Sequence, residues 1–192
     1  MEGTTSEETS FEGTTSETTS YQTSLKETSS QESTTLAQAC SQPMALGMES
    51  GSISDAQLSA SSYYVWITVH FSPSEGRLNN DIYWASKGND MGEWFQVDFL
   101  SVVTVTEIIT QGTGKWNVEE WVTELRIEFG DSASTLLPIR NAGDNMIFTA
   151  NTDQYSEVPI FFPEPITTKI LRIIPTAWQK WRSLRLEVVG CN

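Results

Sequence analysis

Between Glu124 and Phe129 the chain reads ELRIEF, with Leu125, Ile127 and Phe129 apolar and Glu124, Arg126 and Glu128 charged. Successive side chains of an extended strand point to opposite faces, so this alternation fits a strand with one buried face and one wet face. The pattern recurs along the chain. WFQVDF at residues 94–99 sets Phe95, Val97 and Phe99 against Trp94, Gln96 and Asp98; residues 102–109 are dense in β-branched side chains, and residues 169–174 and 184–189 alternate again. Clusters of Gly, Asn, Asp and Pro separate these runs, as turns require. Pro159, Pro163 and Pro165 mark edges or turns, because proline has no N–H to give to a ladder. Short strands with little helical periodicity predict an all-β fold, a single antiparallel β-sandwich.

This reading holds only from Cys40 onward. Residues 1–39 carry seven Glu and one Lys among Ser and Thr, and EGTTSEETSF at residues 2–11 is followed by EGTTSETTSY at residues 12–21. Such a segment buries too little apolar surface to offset the entropy of ordering, so it is expected to be a disordered repeat tail or stalk. Its Ser/Thr content resembles extracellular stalks that carry O-linked sugars, although it lacks the proline usual in them. All seven Trp lie in residues 40–192, the expected globular domain. Cys40 and Cys191 bracket that domain, as a bonded pair clamping its ends or as two buried thiols. A bond requires an oxidising compartment, yet no apolar secretory segment follows Met1. The two are reconciled if the sequence is a fragment or a processed form.

Composition and residue types exclude several functions. Acidic side chains outnumber basic ones 25 to 11, for a formal charge of -14, and the basic residues form no run, which excludes a nucleic-acid partner. His70 is the only histidine and the two cysteines lie far apart, so no zinc set and no nucleophile-histidine pair is expected, and no enzyme. Glu119 and Glu120 are adjacent, face opposite sides of a strand and read as a solvated rim rather than an acid/base pair. Asn79, Asn80, Asp81, Asn89 and Asp90 supply oxygens that suit Ca²⁺ without EF-hand spacing. No cofactor is otherwise required.

Six stretches taken in order, CSQPMALGMESGSISDAQLSASS, FSPSEGRLNN, EWFQVDF, VTEIITQG, PITTKILRIIPTAW and LRLEVVGC, resemble the discoidin domain of the coagulation-factor C type from Cys40 to Cys191. The resemblance implies an eight-stranded antiparallel jelly-roll sandwich closed by a Cys40–Cys191 disulfide, secreted or at the cell surface, without catalytic activity. It also implies projecting loops, called spikes, that bind phosphatidylserine membranes, glycans, collagen or peptides. The first spike runs from Tyr63 to His70, within the aromatic run SSYYVWITVHF, with Tyr63, Tyr64, Val65, Trp66 and Ile67 as its binding residues and Phe71 returning to the core. The second runs from Asn79 to Asp90 and includes Trp84; the third runs from Thr113 to Val118 and carries Thr113, Lys115 and Trp116. Trp94 and Trp178 are expected in or beside the core, and Arg77 and Arg172 as structural arginines.

The main functional expectation is an extracellular adhesion or matrix module binding a glycan or protein ligand through its spikes. One alternative is a peripheral phosphatidylserine-membrane binder; another is an acidic structural component of a calcium-rich or mineralising matrix. The acid excess yields a first prediction. The full chain should pass through a heparin column at low salt, whereas tight, salt-sensitive retention would show a basic face that the sequence does not contain.

Overall fold

The computed structural model of the protein describes residues 40–114 and 118–192, so the expected stalk and the spike residues Lys115 and Trp116 lie outside the described residues. In chain order the strands are β1 (Met44–Ala45), β2 (Leu58–Ala60), β3 (Tyr64–Trp66), β4 (Val69–Phe71), β5 (Trp84–Ala85), β6 (Phe95–Gln111), β7 (Trp121–Gly130), β8 (Leu137–Pro138), β9 (Arg140–Asn141), β10 (Asp144–Asn145), β11 (Phe148–Thr149), β12 (Val158–Gln179) and β13 (Ser183–Cys191). Every ladder between them is antiparallel. The main network runs β1-β13-β6-β12-β7-β11, with β2 on β6, β5 on β13 and β8 on β7; the hairpins β3–β4 and β9–β10 stand apart. The fold is an antiparallel jelly-roll sandwich. Short edge segments such as β1, β5 and β8 are counted separately, which takes the number of segments above eight.

Two long strands bend the network back on one core. The runs at 94–99 and 102–109, separate in the sequence reading, join into β6, which kinks where Leu100 takes φ +64 and stays exposed. Opposite this kink the register jumps from Thr168↔Val103 to Ile170↔Asp98, so the extra residues of the bulge lie on β6. β12 carries the converse bulge between Phe161 and Ile166, and Pro163 and Pro165 sit inside it. Pro159 pairs with Ile109 where β12 has β6 alone as neighbour, and Pro175 pairs with Leu125 where it has β7 alone. The prolines therefore occupy edge stretches and a bulge of one continuous strand, rather than turns between strands.

Leu125 and Ile127 of β7, Val97 of β6, Leu171 and Ile173 of β12, and Leu186 and Val188 of β13 are wholly buried in this core. Each contributes about 1.5–3 kcal/mol relative to exposure. Trp94 lies at the core edge with the Arg172 guanidinium 4.3 Å above its ring, and Arg172 donates to the Gln96 side-chain oxygen at 2.7 and 3.0 Å. Arg77 ties the first loop down, donating to Met48 O at 2.8 Å and to the Asp55 carboxylate at 2.6 Å.

Alternation on β13 turns Leu184, Leu186 and Val188 to the core and Arg185 and Glu187 to the other face, yet both charged residues are buried too. Glu187 is held by backbone donors: its Oε1 accepts from the N–H groups of Gly47, Met48 and Val188 at 3.2, 3.0 and 2.8 Å, and Oε2 from that of Glu49 at 2.9 Å. A carboxylate so enclosed fixes the turn after β1 on the last strand. Gly47 is needed there, since it takes φ +119 and a Cβ would meet Ser52 at 2.6 Å.

The Cys40–Cys191 disulfide closes the same region, with Cα atoms 5.6 Å apart across a separation of 151 residues. A loop of that length corresponds to about 5 kcal/mol of unfolded-state entropy in the chain-entropy treatment. The Cys40→Ala/Cys191→Ala variant should lose about 2–5 kcal/mol in denaturant unfolding. Wild type should shift by a similar amount under reductant, and an unchanged midpoint in both would remove the disulfide as a stabilising element.

Candidate functional site

The aromatic run that opens the domain forms a hairpin. Tyr64 pairs with Phe71, Val65 with His70 and Trp66 with Val69, leaving Ile67 and Thr68 as the turn. Two-residue hairpin turns favour positive φ, which Ile67 supplies at +57 although a β-branched side chain resists it. Ile67 is 81% exposed, and Tyr63, Tyr64, Val65 and Trp66 are exposed with it. The hairpin base is fixed by Ser61 and Ser62. Both hydroxyls donate to Glu93 Oε2, Ser61 Oγ also accepts from Trp94 N–H at 2.9 Å, and Ser62 Oγ accepts from Lys87 N–H at 2.9 Å.

Period-two geometry puts Tyr64, Trp66 and Phe71 on one face of the hairpin, where they line a cleft of about 540 Å³ with Tyr83, Ala85, Val118, Glu120 and Trp181. The rings are close: Tyr64 lies 5.9 Å from Phe71 and 6.3 Å from Trp181, and Phe71 lies 4.8 Å from Tyr83. Phe71, Tyr83 and Ala85 form a small buried cluster under the cleft, separate from the main core. Trp181 is oriented by its indole N–H, which donates to Ser86 O at 2.8 Å.

Glu120 is the one carboxylate of the cleft lining. Ser183 Oγ donates to its Oε2 at 2.8 Å. Loss of solvent raises the Glu120 carboxyl above the usual carboxylate range, against smaller lowering by the Ser183 hydrogen bond and the Lys180 charge. Burial, then the Glu120 charge, then Tyr64, push the Tyr83 phenol up. Glu119 lies on the outer rim in a 2.6 Å ion pair with Lys180, whose hydrogen bond holds its carboxyl below the usual range.

Two arginines of the last hairpin hold the loops around the cleft. Arg182 is 0% exposed, has its guanidinium 3.7 Å over the Trp178 ring, and donates to Gly88 O and Asn89 O at 3.2 Å. Arg185 is 5% exposed and donates to Gly112 O and Asn80 O, both at 2.7 Å. Burial lowers the pKa of each guanidinium, opposed by Glu93 and Asp90 for Arg182 and by Asp81 and Glu157 for Arg185.

Several expected site residues lie elsewhere. Trp84 is 0% exposed, packs edge-on against Phe95 at 5.6 Å and donates its indole N–H to Ser62 O at 3.0 Å. It cannot be displayed by the second spike, because β5 pairs it with β13 and turns it inward. Thr113 is 1% exposed and its N–H donates to Glu120 O at 3.2 Å, so its side chain is inside the third loop rather than on it. Asp90 is exposed outside the cleft lining, as are Tyr63, Val65 and Ile67, and Tyr63 faces His70 at 6.0 Å. The solvated-rim reading fits Glu119 but not Glu120.

Sequence reasoning had Tyr83 and Val118 inside the second and third spike ranges without singling them out, and missed Glu120 and Trp181 as cleft residues and Arg182 and Arg185 as loop anchors. The available cue was WRSLR at residues 181–185, two arginines and a tryptophan beside the last alternating strand. Among the described residues no three His, Cys, Asp or Glu side chains gather to hold a metal. Asn79 Nδ2 instead donates to Glu49 and Glu157 at 3.0 and 2.9 Å, and Asn80 Nδ2 to Glu75 at 2.8 Å.

An all-β scaffold with an aromatic cleft at its loop end has the form of a binding module, the class to which the family match assigns it. The F5/8 type C domain matches residues 57–188, and the chain belongs to that family. It is similar to coagulation factor V of Pseudonaja textilis, 35% identical over 160 residues, covering 81% of this chain and 11% of that protein. Human coagulation factor VIII is 36% identical over 157 residues, covering 80% of this chain and 7% of that protein. The chain thus spans a small part of these relatives' length. Recombinant discoidin II of Dictyostelium discoideum superposes with a TM-score of 0.55 at 25% identity, covering 70% of this chain and 55% of that one.

The Glu120 environment yields a signed prediction. Because its folded-state pKa is raised, the folded protein binds a proton more readily than the unfolded one, and stability falls as pH rises through the window above the ordinary carboxylate value. Glu120→Gln should therefore be at least as stable as wild type at neutral pH. The difference should close as pH falls to about 4. Thermal melts across that range test it, and a variant that loses stability at neutral pH would show that the carboxylate is a net support.

Proposed function

We propose that the protein is an extracellular adhesion or matrix-binding module that takes a glycan or a protein group in the cleft beside its first hairpin. The observation that carries this reading is the cleft itself, five aromatic side chains and one carboxylate with no Lys or Arg in its described lining. Aromatic faces stack on the C–H faces of sugar rings or on apolar side chains, and Glu120 accepts a hydrogen bond from a hydroxyl or amide. The Cys40–Cys191 disulfide and the family's secreted relatives support an extracellular setting. On this reading residues 1–39 are a stalk that spaces the domain from a surface, and calcium has no part in the cleft.

A second reading is a peripheral membrane binder, favoured by the exposed tip of Val65, Trp66 and Ile67. Anionic bilayers reward surrounding cations by about 1 kcal/mol each. Among the described residues Arg77 is committed to Met48 and Asp55 and Arg182 and Arg185 to loop carbonyls, while Lys87 is exposed beside the hairpin base.

The test is a panel of glycans, extracellular proteins and liposomes with and without phosphatidylserine, probed with the full chain in calcium and in chelator. Trp66→Ala should weaken ligand binding on the order of tenfold to a hundredfold while leaving the melting temperature unchanged. Chelator should have no effect. Binding confined to phosphatidylserine liposomes and lost in Trp66→Ala would move the assignment to the second reading.

A further inference from the structure

Resting on the cleft as the binding site, we propose that the group it selects is a weakly hydrated organic cation, a quaternary ammonium of the choline kind. Three observations converge. Tyr64, Trp66, Phe71, Tyr83 and Trp181 surround one small volume, and the negative π faces of such rings attract a cation that sheds water easily. Glu120 adds a formal charge to the same wall, with the Ser183 hydroxyl as its hydrogen-bond donor.

Among the described residues three nearby cations are already committed, and exposed Lys87 lies outside the cleft lining. Lys180 is in the 2.6 Å pair with Glu119, Arg182 lies on Trp178 and binds Gly88 O and Asn89 O, and Arg185 binds Asn80 O and Gly112 O. Glu120 is therefore a partly desolvated carboxylate that no ammonium or guanidinium touches among the described residues, in a wall that is otherwise aromatic and aliphatic.

The same wall discriminates among cations. A primary ammonium or a guanidinium brings several N–H donors that need acceptors once water is stripped away, and the described lining offers the Glu120 carboxylate and the tyrosine oxygens. A quaternary ammonium has no N–H to satisfy, so its desolvation cost is lowest and its methyl groups fill the aromatic walls. Burial already raises the Glu120 carboxyl, and a bound cation favours its ionised form. Glu119, Lys180, Tyr64 and Tyr83 are the other titratable groups facing it. Affinity should therefore fall as pH drops through the raised Glu120 value.

Titration of the full chain with choline, followed by tryptophan fluorescence and calorimetry, tests the proposal against 3,3-dimethylbutanol, the uncharged isostere of the same shape. Choline should bind about tenfold or more tightly than the isostere. Glu120→Gln should reduce that difference, Trp66→Leu should weaken choline without unfolding the domain, and the choline affinity should decline with acid. Equal binding of choline and the isostere would overturn the cation selectivity while leaving the cleft a binding site. No choline binding, alongside a glycan or protein ligand that Trp66→Ala abolishes, would overturn this inference alone. Loss of every ligand in the panel would bring down the cleft assignment as well. Phosphatidylcholine vesicles that compete with free choline would identify a lipid headgroup as the source, and choline binding that vesicles leave untouched would identify a soluble or glycan-borne group; either outcome supports the site.

Discussion

The loop end of this domain depends on two buried guanidinium groups. Backbone carbonyls at Asn80, Gly88, Asn89 and Gly112 lie in irregular segments outside the strand ladders, and donors that reach them fix those segments in place. Arg182 and Arg185 supply those donors from the last hairpin, whose strand is itself fixed by Leu184, Leu186 and Val188 in the core. Arginine suits the role because its planar fork reaches two carbonyls at once and remains charged when buried. Glu187, two residues further on, performs the opposite service, accepting N–H groups from the turn after β1. The last hairpin thus carries donors for one set of loops and an acceptor for another, and alternation along β13 sends Arg185 and Glu187 to the face opposite the main core, while Arg182 lies just before the strand.

Held in this way, the loops can keep features that do not help stability. Ile67 sits in left-handed backbone at an exposed tip, Trp66 projects beside it, and burial raises the Glu120 carboxyl above the usual range. Exposed aromatics, local backbone strain and a shifted carboxyl in one place are the physical marks of a binding site on a rigid frame. The frame also explains why the cleft has a floor. Phe71, Tyr83 and Ala85 pack together as a cluster separate from the main core.

How much of this could be read from the chain varied by the kind of interaction involved. ELRIEF and WFQVDF announced their faces correctly, since alternation is local and burial of the apolar side is the dominant gain. The hairpin at Tyr64–Phe71 overlaps the stretch from Tyr63 to His70 that the family resemblance implied as the first spike. Trp84 was misread as displayed because nothing within the second loop signals that β5 pairs with β13. Thr113 failed for a related reason, its segment being drawn inward by contacts with Glu120 and Arg185. Glu120 looked like a rim acid beside Glu119, since two adjacent carboxylates carry no mark of which will be covered.

Closure by the terminal cysteines entered only through the family resemblance, and by itself the sequence determined the rest of the class: an antiparallel sandwich with an aromatic run near its start. Those outcomes follow from side-chain period, proline position and the order of motifs, all of them properties of neighbours along the chain. The tertiary structure alone decided that Tyr64, Trp66, Phe71, Tyr83 and Trp181 share one cleft, that Glu120 faces into it, and that Arg182 and Arg185 are anchors rather than surface charges. These depend on which loops meet once two long strands have bent, and contacts between segments about a hundred residues apart are set by packing in three dimensions, which no local pattern encodes.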